Sequence, residues 1–378
     1  MSRFAMPLLR WYKKAGRDLP WRKTTVGGVP PDPYAIWVSE ILLQQTQVST
    51  VLPYYHRFLS NFPTVQSLAA AEIDDVLKCW QGLGYYARAR NLLLAARRIV
   101  DRFGGTVPLT LSELLTLPGI GRSSAGAILN IAFSQRHPIL DGNVKRILVR
   151  VFCIAKDPKE RQVTEKLWRL SESLLPKTRA DHFTQAIMDL GATICTPAAP
   201  KCDCCPVSRL CKGYQKGLQN KLPIRPVRKK TPHYDYVCAI IRNGEKVLIK
   251  KRQETGLLGG LWEFPGGRVS NLCSDASPSR GSKVGMGFIG KSLNEIIEKE
   301  VGQSVALTPL GLEIKHAFTH FKMTIHLFAG SVRKSKTQLP LKWVPIDQLK
   351  EHPFSSAHQK IILKLQNVRQ SRRDLWCG

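Results

Sequence analysis

Apolar residues recur every three to four positions through most of residues 1–212. That spacing predicts helices over 3–15, 34–60, 64–80, 85–103, 112–116, 122–134, 143–155, 160–175 and 179–194. Pro63, Gly82, Gly84, Gly104, Gly105, the Pro118–Gly121 stretch, Pro138, Pro158 and Pro176 separate them. After residue 233 the rhythm changes. Short β-branched and aromatic runs at 234–241, 246–250 and 324–330 predict strands, and 291–301 predicts a helix. A Ser- and Gly-rich loop is expected over 270–290. Between the two patterns, 213–232 carry Gly, Pro and a basic run, as a linker does. The chain therefore divides into a mainly helical domain over 1–212, a basic linker over 213–232, an α+β domain over 233–366 and a basic tail over 367–378. Its 378 residues suit two domains of ordinary size.

Charge narrows the partner. Lys and Arg number 57 against 28 acidic residues, a formal excess of +29. The excess is spread, with 29 basic and 16 acidic side chains in 1–212 and 28 and 12 in 213–378. A polyanion is implied. No run approaches the roughly 20 apolar residues of a membrane span, and the first residues lack the apolar core of a leader peptide. The expectation is a cytosolic protein that binds nucleic acid rather than lipid.

Ten cysteines are too few for a disulfide scaffold, but five of them fall between Cys195 and Cys211. The run reads Cys195-x6-Cys202-x2-Cys205-x5-Cys211, with Cys204 as an extra. Spacing alone leaves structural zinc and a [4Fe–4S] cluster both open.

Two carboxylates and one turn carry further chemistry. Leu117-Pro118-Gly119-Ile120-Gly121 sits between two predicted helices. Its glycines permit a tight reversal, and the N–H groups that open the next helix can hold a phosphate. Asp141, twenty residues past Gly121, reads by itself as an N-cap for the helix beginning near Asn143. Glu40 shares a helix face with Ile36, Trp37, Leu43 and Gln44. It reads either as a solvated helix-margin residue or as a partly desolvated, protonated acid.

These motifs together resemble the helix-hairpin-helix (endonuclease III) superfamily of DNA glycosylases. WVSEILLQQTQV (37–48) resembles the adenine DNA glycosylase (MutY) family within it. The resemblance runs from about residue 4 to about 365. It implies a six-helix barrel over 29–136 and a [4Fe–4S] lobe built from 1–28 and 137–212, the cluster held by Cys195, Cys202, Cys205 and Cys211. It further implies that Glu40 protonates the adenine, that Asp141 stabilises the sugar cation and that Asn143 orients Asp141. Leu117, Gly119 and Gly121 would grip the DNA backbone, Ser123 and Lys145 would belong to the same DNA-binding set, Gln45 would probe the minor groove and Tyr85 would intercalate beside the lesion.

Ser123 stands where bifunctional superfamily members carry the lysine that cuts the strand, and where some family members carry Tyr. Serine forms no Schiff base, so a monofunctional enzyme is implied, with Lys145 near the pocket. Residues 256–267 (GLLGGLWEFPGG) resemble the start of a Nudix domain. The acidic helix of an active Nudix hydrolase is degraded here, with Asn294 and Lys299 in place of Arg and Glu. What remains resembles the lesion-recognition domain of the family, whose Phe-Ser-His becomes Phe318-Thr319-His320. The implied partner is duplex DNA with adenine opposite 8-oxoguanine or guanine. The implied enzyme is a monomer that leaves an abasic site and is cytoplasmic and nucleoid-associated. Two alternatives are an oxidised-pyrimidine glycosylase/lyase, disfavoured by Ser123, and a non-catalytic DNA-binding protein, disfavoured by intact Glu40 and Asp141.

Overall fold

The computed structural model describes residues 3–22, 32–224, 230–269, 293–295, 297–298, 304–332 and 340–371, with side chains described as far as 366. The expected loop at 270–290 lies outside the described residues. So do 23–31 of the two expected lobes, 225–229 of the linker, Lys299 and Glu300 of the acidic helix, and 372–378 of the tail.

The helices are α1 (Ala5–Ala15), α2 (Pro33–Leu43), α3 (Val48–Asn61), α4 (Val65–Ala69), α5 (Ile73–Trp80) and α6 (Ala87–Phe103). There follow α7 (Leu111–Leu115), α8 (Arg122–Phe133), α9 (Gly142–Val151), α10 (Arg161–Leu174), α11 (Ala180–Asp189) and α12 (Lys212–Gln215). A π-turn over Leu190–Ile194 extends α11.

Two expected helices are each split. The stretch 34–60 breaks between α2 and α3, where Gln45 turns left-handed at φ 59°. The stretch 64–80 breaks after α4, and α5 starts afresh with Asp74 and Asp75 in its first turn, where the helix dipole favours them. Neither break contains Gly or Pro, so the apolar spacing runs across both.

Contacts divide the chain into two compact units. The first comprises residues 1–71 and 91–228 and is helical. Its core gathers Leu8 of α1, Ile36 of α2, Ala127 and Ile131 of α8, Val144, Ile147 and Leu148 of α9, Leu167 of α10 and Phe183 and Ile187 of α11. At about 25 cal/mol per Å² of apolar area, each such Val, Leu, Ile or Phe side chain contributes about 1.5–3 kcal/mol.

The second unit comprises residues 72–90 and 229–378. The segment 72–90, which the sequence reading keeps with 29–136, packs here with the β-rich part of the chain. Seven strands form one mixed sheet: β1 (His233–Asn243), β2 (Lys246–Lys251), β3 (Trp262–Glu263), β4 (Gly266–Arg268), β5 (Thr308–Ala317), β6 (Lys322–Ser331) and β7 (Leu341–Pro345). β1 runs parallel to β6 from His233↔Lys322 to Arg242↔Ser331, and the other pairings are antiparallel. Alternation along β1 and β6 sends Cys238, Ile240, Ile325 and Leu327 to one apolar layer and Val237, Ala239, Ile241 and Phe328 to the other. A last helix, α13 (Ser356–Ser371), covers the first layer with Ile361, Ile362 and Leu365. The described part of the expected 291–301 helix covers the second with Leu293 and Ile297. The α+β reading of this region holds, although β3, β4, β5, β7 and α13 go unpredicted by the run pattern.

Candidate active site

Helix α2 is apolar almost all round, with Tyr34, Ile36, Trp37, Val38, Ile41 and Leu42 buried. Asp32 caps it by accepting the Tyr34 N–H at 2.9 Å, and Pro33 fills the first helical position. Glu40 is thus carried into the core on a rigid element. It keeps some contact with solvent. Its surroundings are nevertheless dense enough that burial leads in pushing its pKa up to about 7; the Asp141 charge adds to the rise and Arg22 opposes it.

Asp141 ends a segment pinned nearly residue by residue. The buried Asn130 side chain accepts the His137 N–H at 2.8 Å and donates to the His137 carbonyl at 2.7 Å. Ser171 Oγ donates to the Ile139 carbonyl at 2.7 Å. The Leu140 N–H donates to Ser123 Oγ at 3.0 Å. Asp141 then caps α9, its Oδ1 accepting the Val144 N–H at 2.7 Å. The N-cap reading is therefore correct as geometry, and it also fixes the carboxylate beside Glu40. Burial pushes the Asp141 pKa up, while backbone N–H groups of Val144 and Asn143 and the Arg146 charge hold it down.

The side chain of Asn143 faces elsewhere. Its Oδ1 accepts from Arg146 Nη2 at 2.8 Å, and it packs so close to Gly191 that a Cβ there would lie 2.5 Å from Asn143 Cβ. Arg146 also donates to the carbonyls of Cys195 and Gly191, both at 2.7 Å. One turn on, Arg150 donates to Cys195 Sγ at 3.3 Å and to the Thr196 carbonyl at 2.7 Å. Cys195, Cys202, Cys205 and Cys211 line one small apolar cavity together with Ile147, Leu190 and Val207. Cys204 is exposed and does not line it. Among the described residues no three Cys, His or acidic side chains converge on a single-ion site.

Sequence reasoning missed Arg146 and Arg150. Their signal is two basic residues, four apart, on the buried stripe of an amphipathic helix. It also missed the knot around Asp189, a fully buried carboxylate held by Arg17 at 2.6 Å and Arg22 at 2.8 Å. That knot fixes Arg22, the cation that acts on Glu40.

In the hairpin, Gly119 takes φ +81°, as its tight reversal requires. Gly121 caps α8 with no side-chain bond, so the opening of that helix can meet an anion. Leu117 is buried, its side chain packed in the core. Gln45 is exposed, and Lys145 is half-buried on α9.

In the second unit, Thr319 and His320 are the exposed tip of the β5–β6 turn. The Phe318 N–H donates to the Phe321 carbonyl at 2.8 Å, and the two rings meet at 4.8 Å to close the base of that turn. Tyr85 follows Gly84 with a left-handed φ of 51° and is exposed, while Tyr86 is core. The Tyr85 hydroxyl lies 2.9 Å from Thr319 Oγ1.

A family model described as HhH-GPD superfamily base excision DNA repair protein matches residues 38–173, and one described as NUDIX domain matches 236–364. The adenine DNA glycosylase of Mus musculus is 34% identical over 424 residues, covering 99% of this chain and 80% of its own. That of Buchnera aphidicola subsp. Acyrthosiphon pisum is 40% identical over 263 residues, covering 69% and 73%. A solved thermostable thymine-DNA glycosylase superposes with a TM-score of 0.51 at 31% identity, over 56% of this chain and 95% of its own.

Proposed function

Since this chain belongs to the adenine DNA glycosylases of base excision repair, we propose that it removes adenine paired with 8-oxoguanine, and more weakly with guanine, and leaves the strand uncut. The observation that carries this reading is the raised Glu40 carboxyl beside Asp141. Adenine is a poor leaving group until N7 is protonated, and an acid with a pKa of about 7 is about half protonated at neutral pH, where an ordinary carboxyl is almost fully ionised.

The extruded adenine takes that proton at N7, and the C1′–N9 bond breaks with its electron pair leaving on the base. The Asp141 carboxylate stabilises the cationic sugar. Glu40, now ionised, accepts a proton from water as the oxygen bonds to C1′. Ser123 carries no amine, so no Schiff base forms and the sugar–phosphate chain stays whole. Asn143 acts through its backbone N–H and through Arg146 rather than by touching Asp141 with its side chain.

The division into 1–212, a linker over 213–232, 233–366 and a tail over 367–378 is retained as a functional one. In it Gln45, Lys145 and the Leu117–Gly121 hairpin meet the DNA, while Tyr85, Phe318, Thr319 and His320 meet the lesion. The four cysteines of the apolar cavity would hold a [4Fe–4S] cluster, which would brace a basic loop against phosphates. The protein would act as a monomer in the cytoplasm, on the nucleoid. No helix among the described residues is long and apolar enough to cross a membrane.

The test is cleavage of end-labelled duplexes carrying adenine opposite 8-oxoguanine, adenine opposite thymine, or thymine glycol opposite adenine, with and without alkali. Alkali-dependent cuts at adenine opposite 8-oxoguanine alone are expected. Alkali-independent cuts at thymine glycol would replace the reading with a glycosylase/lyase.

A further inference from the structure

We infer that Gln44 is a positioning residue that ties the grip on the DNA backbone to the placement of Glu40 and Gln45. The inference rests on the reading of Glu40 as the acid. Gln44 caps the C-terminus of α2, one turn after Glu40. Its Nε2 donates to the Gly119 carbonyl and to Ser124 Oγ, both at 3.2 Å. Gly119 is the left-handed residue of the hairpin, and Ser124 lies in the first turn of α8. One carboxamide therefore joins the end of the acid-bearing helix to both halves of the phosphate-gripping element.

The join is needed for a geometric reason. Hairpin contacts fix where the sugar–phosphate chain lies but carry no information about the base. The acid must still reach one ring nitrogen, so the spacing between hairpin and α2 becomes a catalytic distance. Apolar packing sets that spacing along the body of α2, and it ends at Leu42. Past it the chain turns sharply, with the Thr46 N–H on the Leu43 carbonyl at 3.2 Å and Gln45 at φ 59°. Such a turn persists only when its surroundings hold it. Gln44 is the side chain that fastens it to the hairpin, and Gln45, next in the chain, is held in its exposed pose as a result.

The experiment compares the full-length wild type with Gln44→Met, which keeps size and removes the donor, with Ser124→Ala and with the double variant. Glu40→Gln runs in parallel. Measured are single-turnover adenine release from an adenine:8-oxoguanine duplex at saturating enzyme, its pH profile, affinity for an undamaged duplex, and thermal midpoint. Gln44→Met should slow release about 10-fold, because small misplacements of a reacting group act on the chemical step. Its pH midpoint, undamaged-DNA affinity and thermal midpoint should stay as in the wild type. Ser124→Ala should lose less and add nothing to Gln44→Met, as expected for two parts of one contact. Release within about two-fold of wild type for Gln44→Met would overturn the inference. A matching drop in undamaged-DNA affinity or in thermal midpoint would overturn it too, because the effect would then be general loosening. Undiminished release by Glu40→Gln would sink the parent reading instead, whatever Gln44→Met does.

Discussion

The Asp141 carboxylate raises the proton affinity of Glu40, and the two residues, 101 positions apart in the chain, come from different elements, Glu40 from α2 and Asp141 from the N-cap of α9. Glu40 stands near the end of α2, whereas Asp141 precedes the first residue of α9. The pair is held by packing on one side and by capping on the other.

A first prediction concerns pH and rate. In the proposed mechanism Glu40 acts protonated, so adenine release under single turnover should fall tenfold per pH unit once pH exceeds about 7, the value to which Glu40 is pushed. Replacing Asp141 with Asn removes the charge that helps to raise Glu40. Any residual activity in that variant should therefore show a midpoint shifted to lower pH. A pH–rate profile of both proteins checks this.

The same group should leave a mark on stability. The Glu40 pKa is higher folded than unfolded, so the folded state binds the extra proton between the ordinary value of 4.5 and about 7. Stability from this site is intact below that window, declines through it and stays low above it. Glu40→Gln should thus be more stable than wild type at pH 8 by on the order of 1–2 kcal/mol, discounted for residual solvent contact, and equal to it at pH 4. Urea unfolding at the two pH values gives the comparison, and an equal gain at both would refute it.

The segment from His137 to Asp141 shows how far the sequence was readable. Asp141 and Glu40 stood out in the sequence as candidates, but the residues alone left Glu40 open between two readings and Asp141 as an N-cap, and only the family resemblance assigned their roles. The α+β character of the second unit was legible from its β-branched runs. The break at Gln44–Gln47 was not, since it is made by side-chain bonds to a hairpin 75 residues away rather than by Gly or Pro. Arg146 and Arg150 were missed for a similar reason. Most of their partners are backbone carbonyls, which no residue alphabet records.

Ser123 has a structural duty besides its lack of an amine. Ser123→Ala would strand the buried Leu140 N–H and should cost about 1–3 kcal/mol. Adenine release should slow as well, because the residue before Asp141 loses its tether. Ser123→Thr keeps the acceptor and should recover more stability than Ala. Thermal midpoints measured beside single-turnover rates separate the two effects.

For the cysteines, Cys202→Ser should lose iron and inorganic sulfide from the about four of each expected for a [4Fe–4S] protein. Cys204→Ser should keep both, since Cys204 is exposed and lies outside the cavity lined by the other four. Loss of iron from Cys204→Ser would mean the ligand set is misassigned. Metal and sulfide analysis of purified variants decides the point.

At the β5–β6 turn, Thr319→Val keeps shape and removes the hydroxyl. It should erase most of the preference for 8-oxoguanine over guanine opposite adenine, by about 10-fold, while Thr319→Ser retains it. Relative release rates on the two duplexes are the readout.

That turn also separates two burdens that most recognition loops combine. Phe318 and Phe321 close its base by ring contact and a backbone bond, so the hairpin holds its shape whatever stands at 319 and 320. Thr319 and His320 are exposed and answer only to what they touch. On the proposed lesion-reading role, the two tip residues can change without a compensating change in the sheet beneath, Thr319 answering only to the Tyr85 hydroxyl beside it.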